Sequence, residues 1–280
     1  MPVLANAPAP APSRWRDLRK RTLSAAVLAP LVLLCIWYGG RAFELLLIAA
    51  AVGMAWEWVR LCGYATQGLP GLAVLVSVFG GVSAVAFGSP SIGLAILAAG
   101  TAIAAAAGRG GPKPALLPWG VLYTGLGSVA LLSLRVDAVV GLTDTLFLLL
   151  VVWGSDIGAY MIGRLVGGPK LAPSISPGKT RSGAVGGLIG AVAAGVAVAM
   201  FTRHLDAPMR VAAVAAVLGV VAQAGDLLES LLKRHCGVKD SGNLIPGHGG
   251  LLDRLDALLI AAPVAALLAL CAGRGVVLWQ

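Results

Sequence analysis

The chain has 280 residues, of which 58% are hydrophobic and 12% charged, with a mean hydropathy of +0.90. Soluble domains carry roughly 25% charged residues, so 21 basic and 12 acidic side chains cannot clothe a soluble fold of this size. The net charge of +9 does not define a nucleic-acid binder, because there is no soluble fold to carry a basic face. Positive-inside loops, anionic headgroups and anionic substrates explain it better. The class left is an all-α polytopic membrane protein.

In chain order, residues 1–13 are Ala/Pro-rich and uncharged, which predicts a disordered stretch, and Arg14, Arg16, Arg19, Lys20 and Arg21 follow. The predicted layout is a basic cytoplasmic tail over 1–22 and a single transmembrane catalytic domain over 23–280. The basic cluster and the apolar run 23–38 share the outline of a signal peptide. That run is long for such a segment and apolar sequence continues after it, so it is read as a first membrane helix.

A hydrocarbon core of about 30 Å needs about 20 mostly apolar residues per helix. Breaks at charge, Pro and Gly clusters then predict nine spans: 23–40, 42–60, 70–88, 91–107, 115–134, 138–163, 183–202, 210–233 and 251–272. With nine spans, 16 of the 21 Lys and Arg residues fall on the side of the N-terminus and 5 on the other. This asymmetry places the N-terminus and both long polar loops in the cytoplasm. Cys35, Cys62, Cys236 and Cys271 show no pairing rhythm and no CxxC, so neither a disulfide framework nor a zinc site is expected.

Charge inside a span is costly, yet Glu44, Glu57, Asp144, Asp156, Asp226, Glu229, Asp253 and Asp256 lie in or at the ends of the predicted spans. Glu44 and Glu57, each near a span end, are left as snorkelling or paired groups, and Asp144 is given no role. Asp226, Glu229, Ser230 and Lys233 fall at i, i+3, i+4 and i+7, on one stripe of the eighth helix. Asp253 and Asp256 share a face at the start of the ninth. Carboxylates from two adjacent helices suit a hard divalent cation whose oxygen shell substrate phosphates complete. A structural alternative is that Lys233, Arg234 and Arg254 simply neutralise these acids.

The loop between those helices contains Lys239, Asp240, Pro246, Gly247, His248, Gly249 and Gly250. Its glycines allow close approach of backbone N–H groups to an anion, and Gly249 and Gly250 stand just before a helix start, where phosphate is favoured. A second polar loop holds Lys170, Pro173, Ser174, Ser176, Pro177, Lys179, Thr180 and Arg181. Its Gly178-Lys179-Thr180 is not a Walker motif, since Pro173 occupies the position of the first glycine and no strand is predicted before it. As a rigid cationic loop it suits a polyphosphate. No Ser/His/Asp or Cys/His nucleophile arrangement is visible, in keeping with phosphoryl or nucleotidyl transfer, which relies on positioning and charge neutralisation.

From Ser230 to Asp256 the chain reads SLLKRHCGVKDSGNLIPGHGGLLDRLD, which resembles the signature of the phosphatidate cytidylyltransferase (CDP-diacylglycerol synthase) family. The stretches Ser155–Tyr160 and Ser176–Thr180 resemble its second motif, so the likeness covers 154–256. It implies a multi-span fold in a bacterial plasma membrane and transfer of CMP from CTP to phosphatidate in phospholipid biosynthesis. It also implies Mg²⁺, with a second cation considered, and a homodimer. Asp226 and Asp253 match its metal-holding carboxylates, with Asp256 and Glu229 as further candidate ligands. Lys239, His248 and Arg254 are carried over with Asp226 and Asp253 as catalytic candidates. Ser176, Lys179, Thr180, Lys233, Arg234, Asp240, Gly249 and Gly250 are carried over as substrate-binding candidates. Ser174 and Ser182 depart from the family pattern, which removes Ser174 from phosphate binding. The rival readings are an ion-coupled transporter and a related CTP-dependent transferase acting on another lipid phosphate.

Overall fold

The computed structural model describes residues 14–280, with side chains from Thr22 onward except Ala25. The predicted disordered stretch 1–13 lies outside the described residues. Among the described residues the chain forms nine α-helices and one small β-hairpin. The helices are α1 (Arg14–Tyr38), α2 (Gly40–Leu61), α3 (Leu69–Ala86), α4 (Pro90–Ala107), α5 (Leu117–Val136), α6 (Gly141–Val166), α7 (Arg181–Phe201), α8 (Pro208–His235) and α9 (Leu252–Ala272). The strands β1 (Lys170–Ala172) and β2 (Ser176–Thr180) lie between α6 and α7.

Helices are the expected solution for such a sequence, because a helix satisfies its backbone polar groups internally where lipid offers no partner. Proline sets several starts, standing in the first turn of α3, α4, α5 and α8, where its missing N–H costs nothing. Eight helices, α2 to α9, are long and apolar enough to cross a membrane. The apolar part of α1, Thr22–Tyr38, is shorter. α1 begins at Arg14, so residues 14–22, read from sequence as tail, continue the first helix instead.

Helix α5 is the most buried span and packs against α2, α3, α4, α6 and α9. The closest helix pair is α6 with α7. A Cβ on Gly158 would strike the carbonyl of Gly186, and one on Gly190 the carbonyl of Gly154, so glycine is what allows these backbones to approach. The C-terminal segment folds back on the bundle. Trp279 stacks on Phe147 with ring centroids 4.3 Å apart, and Asp144 accepts the N–H of Leu278 at 3.0 Å. Asp144, given no role from sequence, is thus an anchor for the C-terminus.

The predicted cationic loop is a two-stranded antiparallel hairpin, pairing Lys170 with Thr180 and Ala172 with Ser176. Gly178, Lys179 and Thr180 lie in β2 and lead directly into α7. This corrects the expectation that no strand is present there. Two prolines and a one-residue irregularity between Lys170 and Ala172 hid a strand too short to show an alternating pattern.

Candidate active site

The C-terminal turns of α8 and the first turn of α9 carry the polar stripe expected from sequence. Lys233 joins them: its Nζ lies 2.5 Å from Glu229 Oε2 on its own helix and 2.7 Å from Asp253 Oδ1 on α9. Glu229 is buried, so this ammonium neutralises a carboxylate that water does not reach. Bridging two acids on two helices makes Lys233 a structural tie as well as a charge.

Asp253 sits in a cradle of backbone amides. Its Oδ2 accepts the N–H of Ser241 at 3.0 Å and that of Gly250 at 3.0 Å. Gly249 has φ +88°, in the left-handed region that favours glycine, and a Cβ on Gly250 would come within 2.9 Å of Asp253 Oδ2 and collide with Ser241 Oγ. The N–H of Gly250 thus reaches a carboxylate of the protein itself, Asp253, which lies three residues ahead on the first turn of α9.

A second carboxylate shapes the same loop from below. Glu57 on α2 is fully buried. Its Oε2 accepts the N–H of Leu252 at 2.8 Å and its Oε1 that of Leu244 at 3.3 Å. Sequence reasoning left Glu57 unassigned; its only signal was an acid inside a span, and its partners lie 187 and 195 positions away. Glu44, by contrast, pairs at the surface with Arg41 at 2.7 Å.

The hairpin closes on this site. Lys179 of β2 reaches Asp226 of α8 at 2.6 Å, and Arg234 Nε donates to the Ile175 carbonyl in the hairpin turn at 3.4 Å. The hairpin is thereby fastened to α8 at two places, at the first residue of its polar stripe and at its C-terminal end. Ser176 is partly buried at the start of β2. Thr180 is buried, and its Oγ1 accepts the N–H of Gly183 at 3.0 Å as the N-cap of α7. Its hydroxyl thus starts a helix, a role that the sequence reading of Thr180 as a substrate-binding candidate did not include. Ser182, read as a departure from the family pattern, hydrogen-bonds the Thr180 hydroxyl at 3.0 Å and donates to the Gly167 carbonyl.

His248 is held from two sides. Its Nδ1 lies 2.9 Å from Ser24 Oγ on α1, and its carbonyl accepts from Arg254 Nη2 at 2.7 Å and Nε at 3.1 Å. Arg254 thus braces the glycine turn. Ser24 was invisible in the sequence, since a serine in an apolar helix carries no signal of a distant partner. Lys239 and Asp240 are exposed on the loop.

Asp226, Asp156 and Asp256 lie within electrostatic reach of one another. Among the described residues, however, no three His, Cys, Asp or Glu side chains converge as a ready ligand group. A lysine ammonium meets each of the two aspartates read from sequence as metal ligands, Lys179 at Asp226 and Lys233 at Asp253. Burial pushes the Cys62 thiol, just beyond α2, up to about 12, so it stays protonated and unreactive at neutral pH.

These features define a polytopic membrane protein with one concentrated site of carboxylates, lysines and a glycine turn at matching ends of α2, α8 and α9. The chain belongs to the cytidylyltransferase family, whose model matches residues 19–272. It is 41% identical over 253 residues to a phosphatidate cytidylyltransferase of Brucella suis biovar 1, covering 88% of this chain and 91% of the relative. It is 37% identical over 272 residues to that of Pseudomonas aeruginosa, covering 92% and 99%. With the Staphylococcus saprophyticus protein of the same name it shares 44% identity over 144 residues, about half of each chain. The family read from the 27-residue signature is thus the family the whole chain matches.

Proposed function

We propose that this protein transfers CMP from CTP to phosphatidate, giving CDP-diacylglycerol and pyrophosphate. The observation that carries the reading is the fastening of the cationic hairpin onto the carboxylate helices through Lys179 and Asp226 at 2.6 Å. It brings a lysine of the hairpin to the same helix whose Lys233 ties Glu229 and Asp253 together. The names of the relatives support the same substrates and disfavour the transporter.

The chemistry needs little from the protein beyond placement. The phosphate of phosphatidate is already anionic near neutral pH, with a second pKa of about 6 for phosphate monoesters, so no general base is required. One of its oxygens attacks the α-phosphorus of CTP in line; the new P–O bond forms as the bond to the bridging oxygen of pyrophosphate breaks. Lys179, Lys233, Lys239 and Arg234 supply positive charge along the triphosphate. The Arg254–His248 brace holds the glycine turn, and His248 remains the candidate acid or phosphate contact of that turn.

The donor set fits Mg²⁺: hard carboxylate oxygens, two of them on Glu229 buried without a hydrogen bond and neutralised by an ammonium alone. Asp226 and Asp253 would hold the ion, with Asp256 and Glu229 as further ligands of this ion or of a second cation. When bound, Mg²⁺ neutralises phosphate charge as a Lewis acid, an effect worth several kcal/mol. The same proposal places the site on the cytoplasmic side of a bacterial plasma membrane and the protein in a homodimer.

Purified protein given labelled CTP, phosphatidate and Mg²⁺ is expected to produce labelled lipid, and Asp253→Asn to lose this while keeping its helical content. A folded wild-type protein that labels no lipid, or a fully active Asp253→Asn, overturns the reading.

A further inference from the structure

Next to the polar site lies an apolar cavity of about 380 Å³, walled by α2, α5, α8 and α9. Trp58, Trp119, Tyr123, Leu228, Leu232 and Ile260 contribute its surface. The two wall residues with buried polar atoms turn them into the protein: Trp58 Nε1 donates to the Leu116 carbonyl at 3.1 Å, and Tyr123 Oη to the Asp256 carbonyl at 3.2 Å. What faces the cavity is therefore carbon. Trp119 and Leu228 are exposed, at 59% and 42%, so the cavity opens sideways between α5 and α8 to the surroundings of the bundle.

Its position relative to the polar site is the informative part. Leu228 and Leu232 alternate along α8 with Asp226, Glu229 and Lys233, so cavity and site share the same helical turns. Tyr123 stands between them, in the cavity wall yet close enough to feel the charges of Asp256, Glu229, Asp226 and Asp253. Along α9 the cavity continues to Pro263, seven residues past Asp256, or about 10 Å deeper at 1.5 Å per residue. That depth lies within one leaflet of a hydrocarbon core about 30 Å thick.

We infer that this cavity holds an acyl chain of the phosphatidate whose phosphate occupies the carboxylate–lysine site, with Tyr123 at the junction of headgroup and chain. A second copy of the protein is a poorer occupant. Helices pair in membranes through small residues that let backbones approach, whereas this recess is concave and lined by Trp, Tyr, Leu and Ile. A bulk lipid would find the same carbon surface, but the shared turns of α8 tie this one to the reacting phosphate. The inference rests on the lipid-phosphate reading of the site.

The test compares kcat/KM for dipalmitoyl and dihexanoyl phosphatidate in one detergent, for wild type, Leu228→Trp, which fills the cavity, and Trp119→Ala, which removes its exposed rim. Both variants are expected to lose about tenfold in kcat/KM for the long chains, the effect of losing contact with about two methylene groups. Turnover of the dihexanoyl substrate should be unchanged, which also certifies the fold. Equal losses for both chain lengths in both variants, or no loss in either, overturn the inference. So does a change of oligomeric state in Leu228→Trp with the chain-length preference intact, which would assign the cavity to a second copy. A wild type that labels neither lipid defeats the reading of the site itself, a distinguishable result.

Discussion

Glu57 on α2 accepts the backbone N–H of Leu252, the first residue of α9, at 2.8 Å across 195 positions of sequence. A helix start leaves N–H groups without internal partners, and here a buried carboxylate from another helix satisfies one of them. The same side chain holds Leu244, so one residue fixes both the loop and the origin of the helix that presents Asp253. Glu57→Gln keeps the shape but sets an amide NH₂ where one of these N–H donors needs an acceptor. Hydrogen bonds to charged groups contribute about 1.5–3 kcal/mol, and a loss in that range is expected in chemical unfolding in detergent. Activity should fall further than stability, because the cradle around Asp253 loosens with the loop.

Lys233 makes the complementary prediction. Removing one partner of a buried ion pair costs about 3–5 kcal/mol, and Lys233 serves two acids, Glu229 and Asp253. Lys233→Met is expected to destabilise the protein by at least that order in the absence of divalent ions. Mg²⁺ should then raise its unfolding temperature more than it raises that of wild type, since two acids are left seeking a cation. An equal response of the two proteins to Mg²⁺ would show that these acids do not attract the ion.

Much of this architecture was legible in the sequence because lipid forces it to be. Unbroken apolar runs and proline starts predicted the bounds of α2 to α9 to within a few residues; α1, whose basic first turns read as tail, began earlier than expected and its apolar part is shorter. The acidic stripe on α8 was legible for the same reason, since charge at helical spacing in an apolar segment needs a purpose. What stayed hidden were relationships rather than residues. Glu57 and Ser24 act on a loop more than 180 positions away, and no local pattern points there. The N-cap role of Thr180 also went unread, because a hydroxyl beside Gly-Lys suits phosphate and an N-cap equally well. The hairpin was missed because strands of three and five residues carry too few alternations to register.

The glycine turn gives a prediction separable from charge. Gly249 adopts φ +88°, where a side chain costs about 1–3 kcal/mol. Gly250 is constrained instead by contact, since a Cβ there meets Ser241 and Asp253. Gly249→Ala should lower stability by that amount and retain measurable activity. Gly250→Ala should displace Asp253 from its amides and abolish activity even where the protein remains folded, as read by labelled-lipid formation alongside circular dichroism.

Outside the spans, Asp137 offers a test by pH. It stands between α5 and α6, where its Oδ1 accepts the N–H groups of Val140 at 3.0 Å and Val139 at 2.9 Å; its Oδ2 accepts that of Gly275 at 3.0 Å. These bonds favour the charged form, that to Val140 most, and hold its carboxyl below the usual carboxylate range. A depressed value in the folded state means that the unfolded chain binds the proton more readily. The stabilisation is therefore fully present above the unfolded value of about 3.9 and is lost as pH falls through the lower folded value. Wild type should accordingly unfold at a higher temperature than Asp137→Asn at pH 7, by a small margin because the group is only partly buried and is screened by solvent. That margin should shrink below about pH 4 and vanish once Asp137 is protonated in both states. A margin that persists at low pH would assign the effect of Asp137 to shape rather than to charge, and would detach the C-terminal segment's anchoring at Gly275 from the ionisation of this side chain.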